Sequence, residues 1–289
     1  MNRRIRAAAL ALILVPTGTA AAAATNATQP DDSSATSAIE RAGIKRGAAL
    51  TSAARQVDEG SRYTLTATIK SPRRARKVTL QKFNPPNYSF QEPAWDTVRA
   101  AKVKARRKVK FTAVAVEHNS EKYRVTVTYK KARPVTSKPA TVFVWRWIPL
   151  KEYTPYYVSE PYGTAFGTTT INGHAYAGWG AAYYSHTGTW ESRFTSGRHC
   201  NAFRGVLGVD DGSADGSSGT VEFTADDATV YSSPTLTPGM DLPVTVPLPT
   251  KPYRFGIRLS DTTPGGTTGR DDIEAFPGIG EPVLRCTGV

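Results

Sequence analysis

The chain of 289 residues is strongly basic, with 37 Lys and Arg against 24 Asp and Glu and a formal net charge of +13 at pH 7. No hydrolase elbow, zinc-protease helix, P-loop or dinucleotide fingerprint occurs in it, which argues against the enzyme classes that depend on them. The four histidines are far apart and lack the spacing of a zinc site, so no metal centre is predicted.

Residues 1–24 have the pattern of a secretory signal peptide. Three arginines precede a short apolar run at 7–15, and the alanines at 20–24 offer cleavage sites. The apolar run is too short to cross a membrane, and no other stretch reaches the ~18 apolar residues that a membrane helix needs. We therefore expect a secreted, extracellular protein with no membrane span.

The charge divides the remaining chain into two parts. Residues 25–150 contain 25 basic and 9 acidic residues, whereas residues 151–289 contain 9 basic and 15 acidic ones. The length after cleavage suits two domains of ~100–150 residues each. We predict four segments: a disordered leader at 25–55, a basic domain at 56–150, a linker at 151–161 and a second domain at 162–289.

The basic domain is predicted to be an immunoglobulin-like β-sandwich. Apolar and polar residues alternate at 63–69, 78–80, 123–129 and 143–147, which indicates strands with one buried face. The order of Leu80, Trp95 and Tyr123 resembles the immunoglobulin-like or fibronectin-type modules of secreted actinobacterial proteins.

Two clusters of basic residues lie in this domain, at 73–77 and 106–108. They are open to two interpretations. One is a patch for an anionic cell-wall polymer or a nucleic acid; the other is solvated loops between strands. No nucleic-acid-binding motif accompanies the charge.

The second domain is organised around residues 199–231. An apolar run ends at Asp210 and Asp211, a polar Gly, Ser and Asp loop follows, and a second run alternates around Val221 and Phe223. This pattern predicts two β-strands joined by a loop in the middle of a β-sandwich. Further strands are predicted to the end of the chain, and no helical periodicity of useful length occurs.

The motifs of this domain resemble the NPCBM family, the novel putative carbohydrate-binding module. The matching segments are Phe203, the run from Gly205 to Asp211, Val221 to Phe223, and the segments at 171–176, 253–261 and 270–272. The resemblance covers roughly residues 155–289. It implies a galactose-binding-like jelly-roll β-sandwich that binds carbohydrate, so the whole chain is predicted to be all-β.

Cys200 and Cys286 are the two cysteines of the chain. In an exported protein a pair is most simply one disulfide. Strict alternation, however, places Cys200 on the face opposite Phe203 and Leu207. We expect either a bulge after Cys200 or a strand that begins beyond it.

An aromatic cluster is the predicted sugar platform, because sugar rings stack their C–H faces on aromatic rings. The predicted ligand-binding residues are Trp179, Tyr183, Tyr184, Trp190, Asp210, Asp211 and Asp271. Burial of these aromatic side chains in the sandwich core is the alternative. No cofactor is predicted, although a structural calcium ion in the loop from Asp210 to Asp215 remains open.

The sequence thus predicts a secreted, non-catalytic protein that binds extracellular or cell-wall polysaccharide. A structural or adhesive module that binds an anionic polymer or a protein through its basic domain is the alternative. Catalysis by the carboxylate pairs Asp210/Asp211 and Asp271/Asp272 is a third, weaker hypothesis, since acidic turns more often bond their own backbone.

Overall fold

The computed structural model describes residues 46–86, 90, 92–116, 119–159, 164–181, 188–264 and 274–288. In these ranges the regular structure is β-strand, apart from the 3-10 helix Leu150–Glu152. The predicted all-β fold class is confirmed. No helix of the described residues is long and apolar enough to cross a membrane.

Nine strands of the described residues form the first β-sandwich. They are β1 (Gly47–Ser52), β2 (Gln56–Asp58), β3 (Arg62–Lys70), β4 (Ala75–Asn84), β5 (Ala94–Lys102), β6 (Lys108–Val114), β7 (Ser120–Tyr129), β8 (Ala132–Thr136) and β9 (Ala140–Pro149). One sheet has the order β1-β3-β6, and the facing one runs β5-β4-β7-β9. The alternating runs point Leu65, Val78, Val125 and Val142 into the core between the sheets.

The predicted leader extends too far towards the first domain. Residues 25–45 lie outside the described part of the chain, but 47–52 form β1, which pairs with β3. Leu50 packs in the core of the first sandwich. One buried leucine among small and polar residues gave too little apolar signal in the sequence to mark a strand.

In the described part of the chain, ten strands form the second β-sandwich. They are β10 (Pro155–Val158), β11 (Thr164–Ile171), β12 (His174–Ala181), β13 (Thr189–Thr195), β14 (Cys200–Val209), β15 (Gly219–Ala225), β16 (Ala228–Ser232), β17 (Asp241–Pro247), β18 (Arg254–Asp261) and β19 (Pro277–Cys286). One sheet has the order β10-β13-β18-β15-β16, and β14 lies between β17 and β19 in the other.

Phenylalanines from both sheets fill the core of the second sandwich. Phe203 of β14 stacks on Phe255 of β18 with ring centres 5.2 Å apart, and Phe223 of β15 lies 5.7 Å from Phe255. All three side chains are fully buried. The central stretch of the sequence, residues 199–231, thus supplies β14 to one sheet and β15 with most of β16 to the other. The two predicted strands and the loop between them are present, and a third strand follows them.

A single strand, β9, runs through both sandwiches. Its first half pairs with β7 and β2, and its last four residues pair with residues 283–286 of β19. Trp145 and Trp147 of β9 are covered by cations of the second sandwich, with the guanidinium of Arg204 4.5 Å from the Trp147 ring centre. The side chains of Asp58 and Arg285 also form an ion pair across this junction.

The segment predicted as a linker is built into the second sandwich. Tyr153 is only 4% exposed and belongs to its core, and β10 pairs with β13. Burial raises the pKa of Tyr153 to about 12. The prolines and the change in charge indicated a linker or a seam between the domains, and the buried side chain of Tyr153 makes the segment part of the second sandwich. Residues 160–161 lie outside the described ranges.

The predicted disulfide is present between Cys200 and Cys286, at the start of β14 and the end of β19. The ladder between these strands shifts register between Cys200 and Ala202. This bulge lets Cys200 and Phe203 both be fully buried, in spite of their odd separation. The conflict that strict alternation predicted is therefore resolved by the bulge.

Candidate functional site

Trp179 and Trp190 lie in the core, which corrects their predicted place in a sugar platform. Each is 3% exposed. The Trp179 ring packs edge-on against Phe194, with ring centres 5.8 Å apart. Neither indole N–H has a hydrogen-bond partner in the described part of the chain. A ring enclosed in this way has no free face for a sugar, so the core alternative holds for both tryptophans.

Three of the predicted ligand-binding residues cannot be placed. Tyr183, Tyr184 and Asp271 all lie outside the described ranges. Their roles therefore stay predictions.

Asp210 and Asp211 hold the hairpin of β11 and β12. The Asp210 carboxylate accepts hydrogen bonds from the Thr169 hydroxyl and the Thr170 backbone N–H, both at 2.9 Å. The Asp211 carboxylate accepts the N–H groups of Asn172 and Gly173, the two residues of the turn. Both carboxylates therefore have a structural role in the hairpin, and their predicted role as ligand-binding residues stays a prediction.

The calcium hypothesis gains no support from the geometry. Within the described ranges, no group of three or more His, Cys, Asp or Glu side chains is placed to hold a metal ion. Asp210 also accepts the Gly212 N–H, so it caps its own loop. This is the usual behaviour of an acidic turn residue.

A cleft of about 500 Å³ opens between β12 and β9, and we call it the β12–β9 cleft. It is bounded by residues 149–151, 177–178 and 281–283, with Phe166 and Gly167. β12 pairs with residues 278–280 of β19. From residue 283 onwards, the same edge of β19 pairs with β9 instead. The two strands diverge between these points, and the gap between them is the cleft.

Glu281 lies where β19 changes partners, and its backbone has a φ of 48°. Among the described residues, it is the one non-glycine residue with positive φ inside a strand, since the others lie in turns and loops. Its side chain is exposed on the rim of the cleft. The same residue also borders a smaller depression of about 210 Å³ over β14 and β17. Such strain in a strand directs attention to the side chain that it positions.

The cleft combines an apolar wall with free polar groups. Phe166 is 37% exposed, and its ring lies 4.4 Å from that of Trp179, which supports it from the core. Lys151 and Glu281 are exposed, and neither forms an ion pair within the described chain. Small-molecule sites are typically clefts of 300–1,000 Å³ with apolar walls and a few polar groups, and the cleft has these properties.

The outer face of the other sheet is also rich in charge, but its charges are paired. Arg193 bonds Glu191 at 2.9 Å, and Arg258 bonds Glu222 at 2.8 Å. The hydrogen bond to Glu191 raises the pKa of Arg193. This face therefore offers fewer free groups to a ligand than the cleft does.

Sequence reasoning missed the cleft. Its residues come from four separate segments of the chain, at 149–151, 166–167, 177–178 and 281–283, so no local pattern marks it. Pro282 was the available signal, because a proline inside a strand marks an edge or a bulge.

A family model described as the NPCBM/NEW2 domain matches residues 167–272. This match lies within the second sandwich and agrees with the resemblance of its motifs to the NPCBM family. The cleft lies at the boundary of this match, because Phe166 and residues 149–151 and 281–283 fall outside it. No curated protein matches the sequence significantly.

Solved structures show weaker likeness. The CBM51-2 and INT domains of Clostridium perfringens ZmpB match with a TM-score of 0.38 and 14% identity, over 58% of this chain and 37% of that one. CBM51 from Clostridium perfringens GH95, in complex with methyl-galactose, gives 0.36 and 20% identity, over 48% of this chain and 99% of that one. TM-scores this low do not define the function of this chain.

Proposed function

We propose that the protein is a secreted, non-catalytic carbohydrate-binding protein, and that its second sandwich binds a polysaccharide or oligosaccharide in the β12–β9 cleft. The observation that carries this proposal is the cleft itself, with one exposed aromatic ring and two unpaired charged groups beside it. The match of residues 167–272 to the NPCBM/NEW2 domain supports the ligand class.

The cleft residues suit a sugar. A pyranose ring has apolar C–H faces that pack on an aromatic ring, and Phe166 offers such a ring at the wall. The carboxylate of Glu281 accepts hydrogen bonds from hydroxyl groups, and the ammonium of Lys151 donates them. The alternation of β19 is interrupted at Glu281, which brings its side chain to the rim.

Binding without catalysis agrees with the carboxylates of the second sandwich. A glycosidase needs two carboxyl groups on either side of one bond. Asp210 and Asp211 are occupied by backbone and hydroxyl donors, and Glu281 is the one carboxylate among the described residues that line the cleft. The signal peptide pattern at 1–24 supports secretion, where a cell-wall or extracellular polysaccharide would be the ligand.

A glycan and polysaccharide array with the full chain tests the function, and calorimetric titration of the best ligand then tests the site. We expect selective binding that changes little between low and physiological salt, because stacking and hydroxyl bonds are screened less than long-range charge. Phe166→Ala should weaken it about ten-fold. Tyr253→Ala, which removes another exposed aromatic side chain on the opposite sheet, should leave it unchanged.

The variants test whether the cleft is the binding site, and the array tests whether the protein binds carbohydrate. If Tyr183→Ala together with Tyr184→Ala abolishes binding while Phe166→Ala does not, the predicted aromatic residues bind the ligand and the cleft does not. An array on which the correctly folded protein binds no glycan would contradict the proposed function itself.

A further inference from the structure

The outer surface of the first sandwich carries a second set of unexplained residues, which we call the basic aromatic face. It consists of Lys77, Phe83, Trp95, Lys102, Lys122 and Arg124. The strand register places Phe83, Trp95, Lys122 and Arg124 side by side, because β4 pairs with β5 on one side and with β7 on the other. Lys77 and Lys102 lie on the same face, near the other end of β4. Phe83 is opposite Trp95 in this register, and Lys77 is opposite Lys102.

The aromatic rings and the cations of this face are in contact. The Phe83 and Trp95 ring centres are 5.2 Å apart, and the guanidinium of Arg124 lies 4.2 Å from the Trp95 ring centre. The ammonium of Lys122 is 5.6 Å from the Phe83 ring centre. Gln81 fixes the arrangement, since it accepts a hydrogen bond from Arg124 Nε at 2.9 Å. The face is therefore held in place before any ligand binds.

Among the residues that the structure describes, no ion pair compensates the positive charge of this face. Lys77, Lys102, Lys122 and Arg124 form no ion pair within the described part of the chain, unlike the arginines of the second sandwich. The carboxylates of the described residues in β4, β5 and β7 belong to Asp96 and Glu121. Both lie on the other side of the sheet, where Glu121 is buried and paired with Lys82 at 2.6 Å.

A depression of about 240 Å³ adjoins the face beside Phe83 and Lys122. Asn119 is part of its lining, and the buried Oδ1 atom of Asn119 has no hydrogen-bond partner in the described ranges. An unsatisfied buried acceptor costs free energy that a donor on a ligand would recover. The depression thus adds a place for a hydroxyl group next to the cations.

We propose that the basic aromatic face binds an acidic polysaccharide, a polymer whose sugar rings carry carboxylate or other anionic groups. Lys122 and Arg124 bind the anionic groups, the rings of Phe83 and Trp95 contact the apolar faces of the sugars, and Asn119 accepts a hydroxyl. The proposal goes beyond the function given above, because this face lies on the first sandwich and takes a different, acidic ligand.

Single-stranded nucleic acid fits this face less well. Base stacking needs open ring faces on which successive bases lie. Phe83 and Trp95 are tilted by 58° to each other, and Arg124 covers one face of the Trp95 ring. The geometry therefore favours sugars with anionic substituents.

Affinity measurements on immobilised full-length protein test the proposal, with polygalacturonate as the acidic probe and its methyl ester as the neutral one. We expect polygalacturonate to bind and the ester to bind at least about ten-fold more weakly. The double variant Lys122→Gln/Arg124→Gln should lose about ten-fold in affinity, since each cation makes charge-assisted bonds. Lys130→Gln/Lys131→Gln, which removes the same charge at the turn between β7 and β8, is the matched control and should lose less than two-fold.

Three results would overturn the proposal: equal losses in the two double variants, equal binding of the ester, or tighter binding of poly(dT) than of polygalacturonate. Trp95→Ala removes an aromatic ring of the face without changing its charge, and this variant should also bind polygalacturonate more weakly. Phe166→Ala should not affect polygalacturonate. The two proposals can therefore fail separately. Phe166→Ala tests the binding of neutral glycans in the cleft, and Lys122→Gln/Arg124→Gln tests the binding of polygalacturonate on the basic aromatic face.

Discussion

The carboxylate of Asp211 accepts the backbone N–H of Gly173 at 2.8 Å, across 38 positions of sequence. Asn172 and Gly173 have φ values of 52° and 75°, the conformation of a two-residue hairpin turn that Asn-Gly favours. Asp211 thus clamps the tip of the β11–β12 hairpin to the end of β14. One wall of the β12–β9 cleft belongs to this hairpin, so Asp211 supports the wall of the proposed site.

Removing this clamp should cost stability. Asp211→Ala removes two charge-assisted hydrogen bonds to the turn, and we expect the free energy of unfolding to fall by about 1–2 kcal/mol. Urea unfolding followed by fluorescence measures the change. Asp241→Ala removes one long contact to the Asn172 side chain at 3.4 Å, and the loss should stay within about 0.5 kcal/mol. Equal effects of the two variants would contradict the clamp.

Glu281 should contribute to glycan binding and not to the stability of the fold. A positive φ is unfavourable for a residue with a Cβ atom, so Glu281→Gly should leave the free energy of unfolding unchanged or raise it by up to about 1 kcal/mol. The same variant should weaken glycan binding in the calorimetric titration. Glu152→Gly, at an exposed acid with an ordinary φ, should instead lower stability and leave binding intact. If Glu281→Gly bound the glycan normally, Glu281 would have no part in the site.

Local signals in the sequence were enough for the fold but not for the site. Alternation gave the strands around Val125 and Phe255, and the NPCBM-like motifs indicated the second sandwich. Burial of Trp179 was not readable, because an aromatic residue serves a core and a sugar platform equally well. The β12–β9 cleft exists because β12 and β9 share one edge of β19, and this relationship joins residues more than 100 positions apart.

The disulfide should stabilise the protein substantially. It closes a loop with a sequence separation of 86, for which the chain-entropy model gives about 4–5 kcal/mol. Replacing Cys200 and Cys286 together by Ser should reduce the free energy of unfolding by up to this amount. Reduction of the wild-type protein with dithiothreitol should give a similar loss. An unchanged urea midpoint in both experiments would show that the crosslink constrains little.

Tyr153 should make the protein sensitive to alkaline pH. Its hydroxyl donates to the Gly288 carbonyl at 3.1 Å, and burial raises its pKa from 10.0 to about 12. Because the folded state holds this proton more tightly, its contribution is complete below pH 10 and is lost as the pH rises towards 12. The loss is at most about 3 kcal/mol.

Urea unfolding of the wild type and of Tyr153→Phe between pH 8 and pH 11 measures this contribution. At pH 8 the variant should be less stable, by about 1 kcal/mol for the lost hydrogen bond. The difference between the two proteins should shrink as the pH rises, because only the wild type ionises at this position. A constant difference across the range would show that Tyr153 does not titrate differently in the folded and unfolded states.

A crystal structure of the full chain with the strongest ligand of the glycan array tests the central claim most directly. The account predicts a sugar ring in the β12–β9 cleft, packed on Phe166 and bonded through its hydroxyl groups to Glu281 and Lys151. A well-ordered glycan bound elsewhere on the second sandwich, with the cleft empty, would contradict it.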